Sequence, residues 1–272
     1  MKASSPPGSG TGSVVFVGTG FALMSQATLE AVSHIERAQK LFYLVSDPAA
    51  ALWLQSLNGS AESLATHYAE GKRRSESYVE MVDHVIAHAR AGERVCVALY
   101  GHPGVGCDPT HMVMARARAE GFSARILPGV SSDACLYADL GIDPMDDGIQ
   151  AYEASLFTFR RPRIDTRAPL LLWQAGFVGE SSIKFSGQFN RAGARQLAAV
   201  LTTYYDPAHR VAIYEASWYP ICPPSIAWTA IRSLPTRMKS AGVTLYIPAV
   251  ETIHAAGQPA ARRKKAPARR LA

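Results

Sequence analysis

Residues 95–105 read VCVALYGHPGV, and this junction of an apolar run with a glycine-rich loop indicates the class of fold. The run 95–99 is apolar without alternation, which is typical of a strand covered on both faces in a parallel sheet. It ends in the loop Tyr100–Val105, where glycine and proline stop the strand. Asp108, followed by Pro109, then predicts the N-cap of a helix. A buried strand, a glycine-rich loop and a helix in this order indicate an α/β architecture.

The chain on either side repeats this pattern. VVFV at 14–17 predicts a strand that runs into Gly18-Thr19-Gly20, and RIL at 125–127 predicts one that ends in PGVS at 128–131. The helical periodicity from Tyr78 to Ala89 predicts one face of a helix that Gly92 ends. The remaining predicted elements of this half are helices over 25–38, 109–120 and 132–140 and a strand over 41–45.

Beyond Asp143-Pro144 the pattern predicts strands at 150–154, 170–173, 211–214 and 243–247 and a helix at 190–203. We therefore predict a two-domain α/β fold, with a disordered leader at 1–12, one domain at 13–130, a second at 131–254 and a basic disordered tail at 255–272.

Composition excludes several protein classes. The chain has 272 residues and is 48% hydrophobic, so it carries enough apolar residues for packed cores. Its longest apolar runs are far shorter than the roughly 18 residues that a membrane span needs, and the leader lacks the apolar segment of a secretory signal. The four cysteines show neither a C-x-x-C pair nor the spacing of a metal site, which favours reduced thiols in a cytoplasmic protein.

The net charge of +6 comes from the end of the chain. Residues 255–272 carry six basic side chains and no acid, and without them the chain has 22 basic and 22 acidic residues. A neutral body with a basic tail makes nucleic acid an unfavoured partner and loose contact with anions the simpler interpretation.

Three glycine-containing loops follow predicted parallel strands: Gly18–Gly20, Tyr100–Val105 and Pro128–Ser131. Ligands of open α/β sheets lie beyond the carboxyl ends of the strands, and glycine lets a backbone approach a ligand closely. The loops are either ordinary tight turns or, as their number favours, a site for a nucleotide-like ligand.

The segment 68–78 reads YAEGKRRSESY. If a helix begins by Arg74, then Arg74 and Tyr78 share a face one turn apart, with Tyr68 in the loop before. A guanidinium beside a phenol lowers the phenol's pKa, although Tyr78 also fits a core position and Arg74 a surface cation. His84 and His88 have metal-like spacing but no third ligand, and we interpret them as solvated residues.

Several short motifs together resemble a known family. They are VGTG, the Tyr/Arg/Tyr segment, LYGHPGV, LPGVS, CLYADLGIDP, YEAS, LLWQ and YIP, distributed over residues 13–250. In this order they resemble the borosin peptide-backbone α-N-methyltransferases, which are omphalotin-type enzymes of the tetrapyrrole-methylase superfamily.

The resemblance implies two α/β domains with S-adenosylmethionine in the cleft between them and S-adenosylhomocysteine as product. It implies iterative N-methylation of backbone amides, with no metal. Because the chain stops soon after YIP at 246–248, it is similar to the split bacterial type, whose precursor peptide is a separate partner. A homodimer, or a heterotetramer with the precursor, is implied as well.

Carried over by position, the catalytic set falls on Tyr68, Arg74 and Tyr78. The cofactor-binding set falls on Tyr100, His102, Val105, Ser131, Gln174, Ala216 and Thr244. A further family tyrosine, three positions before Tyr68, is Ala65 here. The hypothesis is that both tyrosines bind the amide and share its proton, while Arg74 keeps a phenol acidic and stabilises charge on the amide oxygen.

Three alternatives remain open. The same superfamily includes tetrapyrrole C-methyltransferases and rRNA ribose methyltransferases, and the basic tail gives the second of these some support. A cofactor-binding module that only chaperones a peptide is the third, and the intact trio argues against it.

Overall fold

The computed structural model of the chain describes residues 12–183 and 189–250. The predicted leader, apart from Gly12, and the predicted basic tail lie outside these residues. Within them the chain forms two five-stranded sheets, one from residues 13–126 and one from residues 150–247.

The first sheet is parallel throughout. Its strands are β1 (Ser13–Gly18), β2 (Lys40–Leu44), β3 (Glu62–Ser63), β4 (Arg94–Leu99) and β5 (Ser123–Ile126), in the spatial order β3-β2-β4-β1-β5. The second sheet is mixed. Its strands are β6 (Gln150–Glu153), β7 (Leu170–Trp173), β8 (Arg210–Glu215), β9 (Ser225–Ala230) and β10 (Thr244–Ile247), in the order β6-β7-β10-β8-β9.

The helices are α1 (Leu29–Arg37), α2 (Pro48–Leu57), α3 (Arg74–Arg90), α4 (Asp108–Glu120), α5 (Ser132–Leu140), α6 (Pro144–Asp147), α7 (Ala154–Arg160), α8 (Arg191–Leu201) and α9 (Leu234–Arg237). Short 3₁₀ helices cover Leu64–His67, Ala175–Phe177 and Ile231–Ser233.

Helices cover both faces of the first sheet, as the apolar run of β4 predicts. Val95 and Val97 belong to the core formed with α3 and α4, whereas Cys96 and Ala98 belong to the core formed with α1 and α2. The chain therefore leaves β1 toward one face and β4 toward the other. Because β1 and β4 are neighbours, the sheet has its topological switch point between them, where open α/β sheets bind ligands.

The second sheet buries one face against α7 and α8 and the other against α5. Leu136 of α5 packs with Leu171 and Tyr214 of that second face, so α5 joins the core of the second sheet. The division of the chain at 130/131 stays a prediction.

Two sequence interpretations of this region have clear outcomes. Gly121 ends α4 in the left-handed conformation, with φ 80°, as predicted. The assignment of Asp108 as its N-cap is wrong: Cys107 holds that position and Asp108 begins the helix. The carboxylate of Asp108 lies in the first turn, where the positive end of the helix dipole favours it.

Candidate functional site

The three predicted loops meet at the carboxyl edge of the first sheet. A Cβ on Gly18 would lie 2.3 Å from the carbonyl oxygen of Gly101 and 2.9 Å from Cα of Gly129. The amide of Gly101 donates to the carbonyl oxygen of Gly20 at 2.8 Å, and the amide of Gly20 donates back at 3.3 Å. Only glycine allows backbones to approach so closely, so the prediction that these loops share one edge is confirmed.

The loop after β4 holds three of the predicted cofactor residues. Tyr100 and Val105 are each about two-fifths exposed (40% and 42%). The ring Nδ1 of His102 accepts a hydrogen bond from the amide of Gly104 at 2.9 Å. This contact lies within the loop, so the His102 ring helps to fix the shape of the loop.

Gln174 brings the second sheet to this loop. It follows β7 and has the left-handed conformation, with φ 58°, which is strained for a residue other than glycine. Its side-chain Nε2 lies 3.5 Å from where a Cβ of Gly106 would stand. The strand end of one sheet and the glycine loop of the other are therefore in contact.

The other cofactor assignments stay predictions. Ser131 is the N-cap residue of α5, and Ala216 directly follows β8. Thr244 is 3% exposed and begins β10, where it pairs with Tyr214. These positions lie on neighbouring strands or on the helix that packs against them.

Buried polar atoms without partners flank the same elements. Among the described residues, four buried side-chain atoms lack a hydrogen-bond partner, and they include Arg74 Nε, Asp133 Oδ1 and Trp173 Nε1. Asp133 lies two residues after Ser131, and Trp173 directly precedes Gln174. Since an unpaired buried polar group costs about 1–3 kcal/mol, such atoms are expected where a polar ligand supplies the missing partner. The residues present therefore fit a polar cofactor.

The catalytic candidates come together at the start of α3. The helix begins at Arg74, so Arg74 and Tyr78 lie one turn apart, as the sequence analysis required. Tyr68 follows the 3₁₀ helix Leu64–His67 and packs against the same core as Tyr78. A hydrogen bond from Tyr68 and the charge of Arg74 both act on the phenol of Tyr78.

Burial reverses the expected acidity of these phenols. Arg74 does lower the pKa of both, but desolvation is the larger effect and raises the pKa of Tyr68 and of Tyr78 above the ordinary value. The expectation that the guanidinium makes them acidic is therefore wrong, because a buried phenolate loses more hydration than one nearby cation replaces. Both side chains are phenols at neutral pH.

The second half of the chain fixes the position of Arg74. The guanidinium carbon lies 4.2 Å from the centroid of the Phe177 ring, which is a cation–π contact. The amide of Arg74 donates to the carbonyl oxygen of Ser181 at 3.1 Å. Beside it, the amide of Gly71 donates to Ile183 at 2.9 Å. This pairing could not be predicted, because periodicity within one segment carries no information about a distant partner.

The backbone before Tyr68 is also held. The carbonyl oxygen of His67 accepts hydrogen bonds from Ser77 Oγ at 2.9 Å and Lys72 Nζ at 3.1 Å. Ser77 is fully buried on α3, so this contact ties Tyr68 to the helix that carries Tyr78. Ala65, at the position of the missing family tyrosine, is exposed on the 3₁₀ helix.

With this geometry established, comparison with known proteins places the chain. Residues 13–219 match the model of the tetrapyrrole (corrin/porphyrin) methylases. The chain belongs to this family. As a methylase-family member it also has the same fold as the uroporphyrin-III C-methyltransferase of Thermus thermophilus, with a TM-score of 0.62 at 19% identity over 88% of this chain and 92% of that one.

Fungal proteins are more similar in sequence. The chain is 41% identical over 209 residues to the methyltransferase/dendrothelin A precursor of Dendrothele bispora, covering 77% of this chain and 50% of that protein. It is 40% identical to the methyltransferase/omphalotin A precursor of Omphalotus olearius, with the same two coverages. The methylase-family chain thus spans about half the length of these relatives.

His84 and His88, which the sequence predicted to be solvated, are partly buried in this methylase-family member. The rings of His84 and His88 pack on Phe42, with centroids 4.7 and 5.2 Å away. His84 Nδ1 also lies 3.1 Å from His67 Nε2. Over residues 12–183 and 189–250, no group of three or more His, Cys, Asp or Glu side chains is arranged to hold a metal ion.

The cysteines and the helices complete the description. Cys96, Cys107, Cys135 and Cys222 are free thiols. None of the helices in the described part of the chain is both long and apolar enough to cross a membrane.

Proposed function

We propose that this chain transfers methyl groups from S-adenosylmethionine to successive backbone amide nitrogens of a ribosomally made precursor peptide that is supplied in trans. The observation that carries the proposal is the meeting of Tyr68, Arg74 and Tyr78 at the start of α3, where Arg74 and Tyr68 both lower the pKa of Tyr78 against the effect of burial. The fungal relatives, whose names join a methyltransferase to a cyclic-peptide precursor, support the same substrate class.

The chain's own residues have to activate an amide. Its nitrogen is a poor nucleophile because its lone pair is delocalised into the carbonyl group, so a base and a charge-stabilising group are needed. Tyr78 is the better base of the two phenols, because the hydrogen bond from Tyr68 and the charge of Arg74 both lower its pKa against the effect of burial. Tyr68 is then the donor that stabilises the Tyr78 phenolate, and Arg74 stabilises negative charge on the amide oxygen.

The cofactor site is the edge where the loops meet. Tyr100, His102, Val105 and Gln174 would hold S-adenosylmethionine there, with Ser131, Ala216 and Thr244 completing the set. When bound, the cofactor supplies an electrophilic methyl on a positively charged sulfur and leaves as S-adenosylhomocysteine. Tyr100 links the two sets of residues, since its phenol interacts electrostatically with Tyr68, Tyr78 and Arg74.

The proposal includes the assembly that the family resemblance implies. A homodimer, or a heterotetramer with the precursor, is the expected active form, and light scattering of the purified protein with and without peptide measures it. We place the reaction in the cytoplasm, where free thiols such as those of Cys96 and Cys107 stay reduced.

The test is methylation of a peptide in trans. The protein is incubated with S-adenosylmethionine and a peptide rich in valine and isoleucine, and tandem mass spectrometry locates each added methyl. Replacing one amide by an ester removes the N–H at a single position, so methylation there must disappear while the other positions continue to react. Methyls on side chains, or none in any peptide together with turnover of a tetrapyrrole acceptor, would reject peptide N-methylation and favour the C-methyltransferase alternative.

A further inference from the structure

Three aromatic rings meet beside the glycine cradle. Phe21, Tyr100 and Trp218 have ring centroids 5.6–5.9 Å apart in every pairing. Together with Trp53 and Ala50 of α2 they line a pocket of about 310 Å³, including the space at its open mouth. We call this space the aromatic pocket. The space is narrow and its wall is mostly apolar, so it admits part of one apolar side chain rather than an extended ligand.

The aromatic pocket shares a wall with the catalytic trio. Tyr100 lines the pocket, and its phenol interacts electrostatically with Tyr78 and Arg74. A group held against the amide-activating phenols is therefore one side chain away from the pocket. Cα of a peptide residue is bonded to that residue's own amide nitrogen, so its side chain is the nearest group that can enter.

Two polar side chains of the pocket wall, those of Asp47 and Thr19, are already engaged in hydrogen bonds. Asp47 Oδ1 accepts from the amides of Ala49 and Ala50 at 2.8 and 3.0 Å, and its Oδ2 accepts from the hydroxyl of Tyr219 at 2.5 Å. Thr19 Oγ1 donates to the carbonyl oxygen of Leu99 at 3.2 Å. A polar guest would lose hydrogen bonds to water with little replacement, whereas an apolar guest gains from burial.

The backbone around the pocket is braced. The side-chain oxygen of Gln26 accepts from the amides of Phe21 and Ala22 at 2.7 and 3.2 Å. The amide of Leu23 donates to the carbonyl oxygen of Trp218 at 2.8 Å, which ties the loop after β1 to the loop after β8. The rings are therefore held in place before any guest binds, which reduces the entropic cost of binding.

We propose that the aromatic pocket binds the apolar side chain of the peptide residue whose own amide nitrogen is methylated, and so selects which residues react. This assignment rests on the proposed function, since it names the part of the substrate that the pocket holds. It makes Trp53 and Ala50 specificity-determining residues that take no part in the chemistry.

The test narrows the aromatic pocket by replacing Ala50, which lines it, with a larger residue. Peptides that differ only in one reacting residue, Gly, Ala, Val, Leu or Phe, are compared by kcat/KM and by calorimetric affinity. The wild-type protein should favour the larger apolar residues, and Ala50→Phe should reduce kcat/KM for Leu and Phe by about 10-fold or more, the factor that burial of such a side chain supports. The Gly and Ala peptides should stay within about 2-fold.

A matched control is Leu52→Phe, which places the same ring on an exposed position of the same helix, where Leu52 is 66% exposed. It should leave all five peptides unchanged. Ala50→Leu repeats the test with less bulk in case the phenyl ring unfolds α2, and Trp53→Ala enlarges the pocket and should shift the preference toward a tryptophan-containing peptide.

Two results would overturn the assignment. One is an equal loss for all five peptides in the folded Ala50 variants, and the other is a loss of S-adenosylmethionine affinity with unchanged selectivity. Failure of the proposed function looks different: no peptide is methylated, yet size-dependent binding persists and Ala50→Phe abolishes it, which would still support the pocket.

Discussion

Tyr68→Phe should move the pH dependence of methylation to higher pH. In the proposed mechanism Tyr78 acts as a base only when deprotonated, and burial raises its pKa above the ordinary tyrosine value. The rate should therefore rise with pH over the whole range below that pKa. Because the hydrogen bond from Tyr68 lowers the pKa of Tyr78, its removal raises that pKa further and reduces the phenolate fraction at any given pH.

The magnitude follows from the strength of one hydrogen bond to a charged group. Such a bond contributes about 1.5–3 kcal/mol, and 1.36 kcal/mol corresponds to one pKa unit. The phenolate fraction of Tyr78 should thus fall, and the rate near neutral pH should fall by about 10-fold to 150-fold. Below both pKa values the plots of log rate against pH should be parallel lines of unit slope, displaced by that amount.

Single-turnover methylation at saturating peptide and cofactor isolates the chemical step. Tyr205→Phe is the matched control, since it removes a buried tyrosine hydroxyl in the core of the second sheet. The affinity for S-adenosylmethionine should be the same in the wild type and both variants. The assignment of Tyr78 as the base would be wrong if Tyr68→Phe lowered the rate by the same factor while the rates of the wild type and the variant were both independent of pH. A phenol that titrates in this range could not then be the base.

Arg74→Lys should lower kcat by about 2-fold to 30-fold with little effect on cofactor affinity. An ammonium group lacks the plane that stacks on Phe177, and a desolvated cation–π contact is worth about 0.5–2 kcal/mol. An unchanged kcat would count against a role for that stack. Gly18→Ala should destabilise the fold and abolish cofactor binding, because its Cβ would lie 2.3 Å from a backbone oxygen, whereas Gly59→Ala, whose Cβ would have nothing within 4 Å, should be tolerated in thermal melts and calorimetry. Tyr205→Phe should be neutral or stabilise the protein by about 1 kcal/mol in urea denaturation, because the lost hydroxyl has no hydrogen-bond partner; a clear loss of stability would mean that the hydroxyl is satisfied in solution.

Local signals predicted the parts of the fold that have a strong period or a glycine stop. The apolar run around Val97 predicted β4, because both faces of that strand are buried. The apolar stripe from Tyr78 predicted α3. Several elements were missed, and two of them show why. The segment Pro48–Leu57 is too uniformly apolar to show a helical period, and β9 (Ser225–Ala230) lies at a sheet edge with largely exposed side chains.

The candidate site was predictable only as far as residue types allow. The three loops could be placed on one edge because each follows a parallel strand. The sign of the phenol pKa shift could not be predicted, because it depends on burial that the sequence does not give. Phe177 and Trp218 were missed since their partners lie more than a hundred residues away along the chain.

The pairing of residues 71–74 with 181–183 has a consequence for engineering. Arg74 starts a helix of the first sheet's layer, but its amide and its guanidinium plane are both set by the segment that follows β7. A chimera that joins the first half of this chain to the second half of another family member would keep Tyr68, Arg74 and Tyr78 and still misplace Arg74. An exchange of halves should succeed only when the segment from Phe177 to Ile183 comes from the same protein as Arg74.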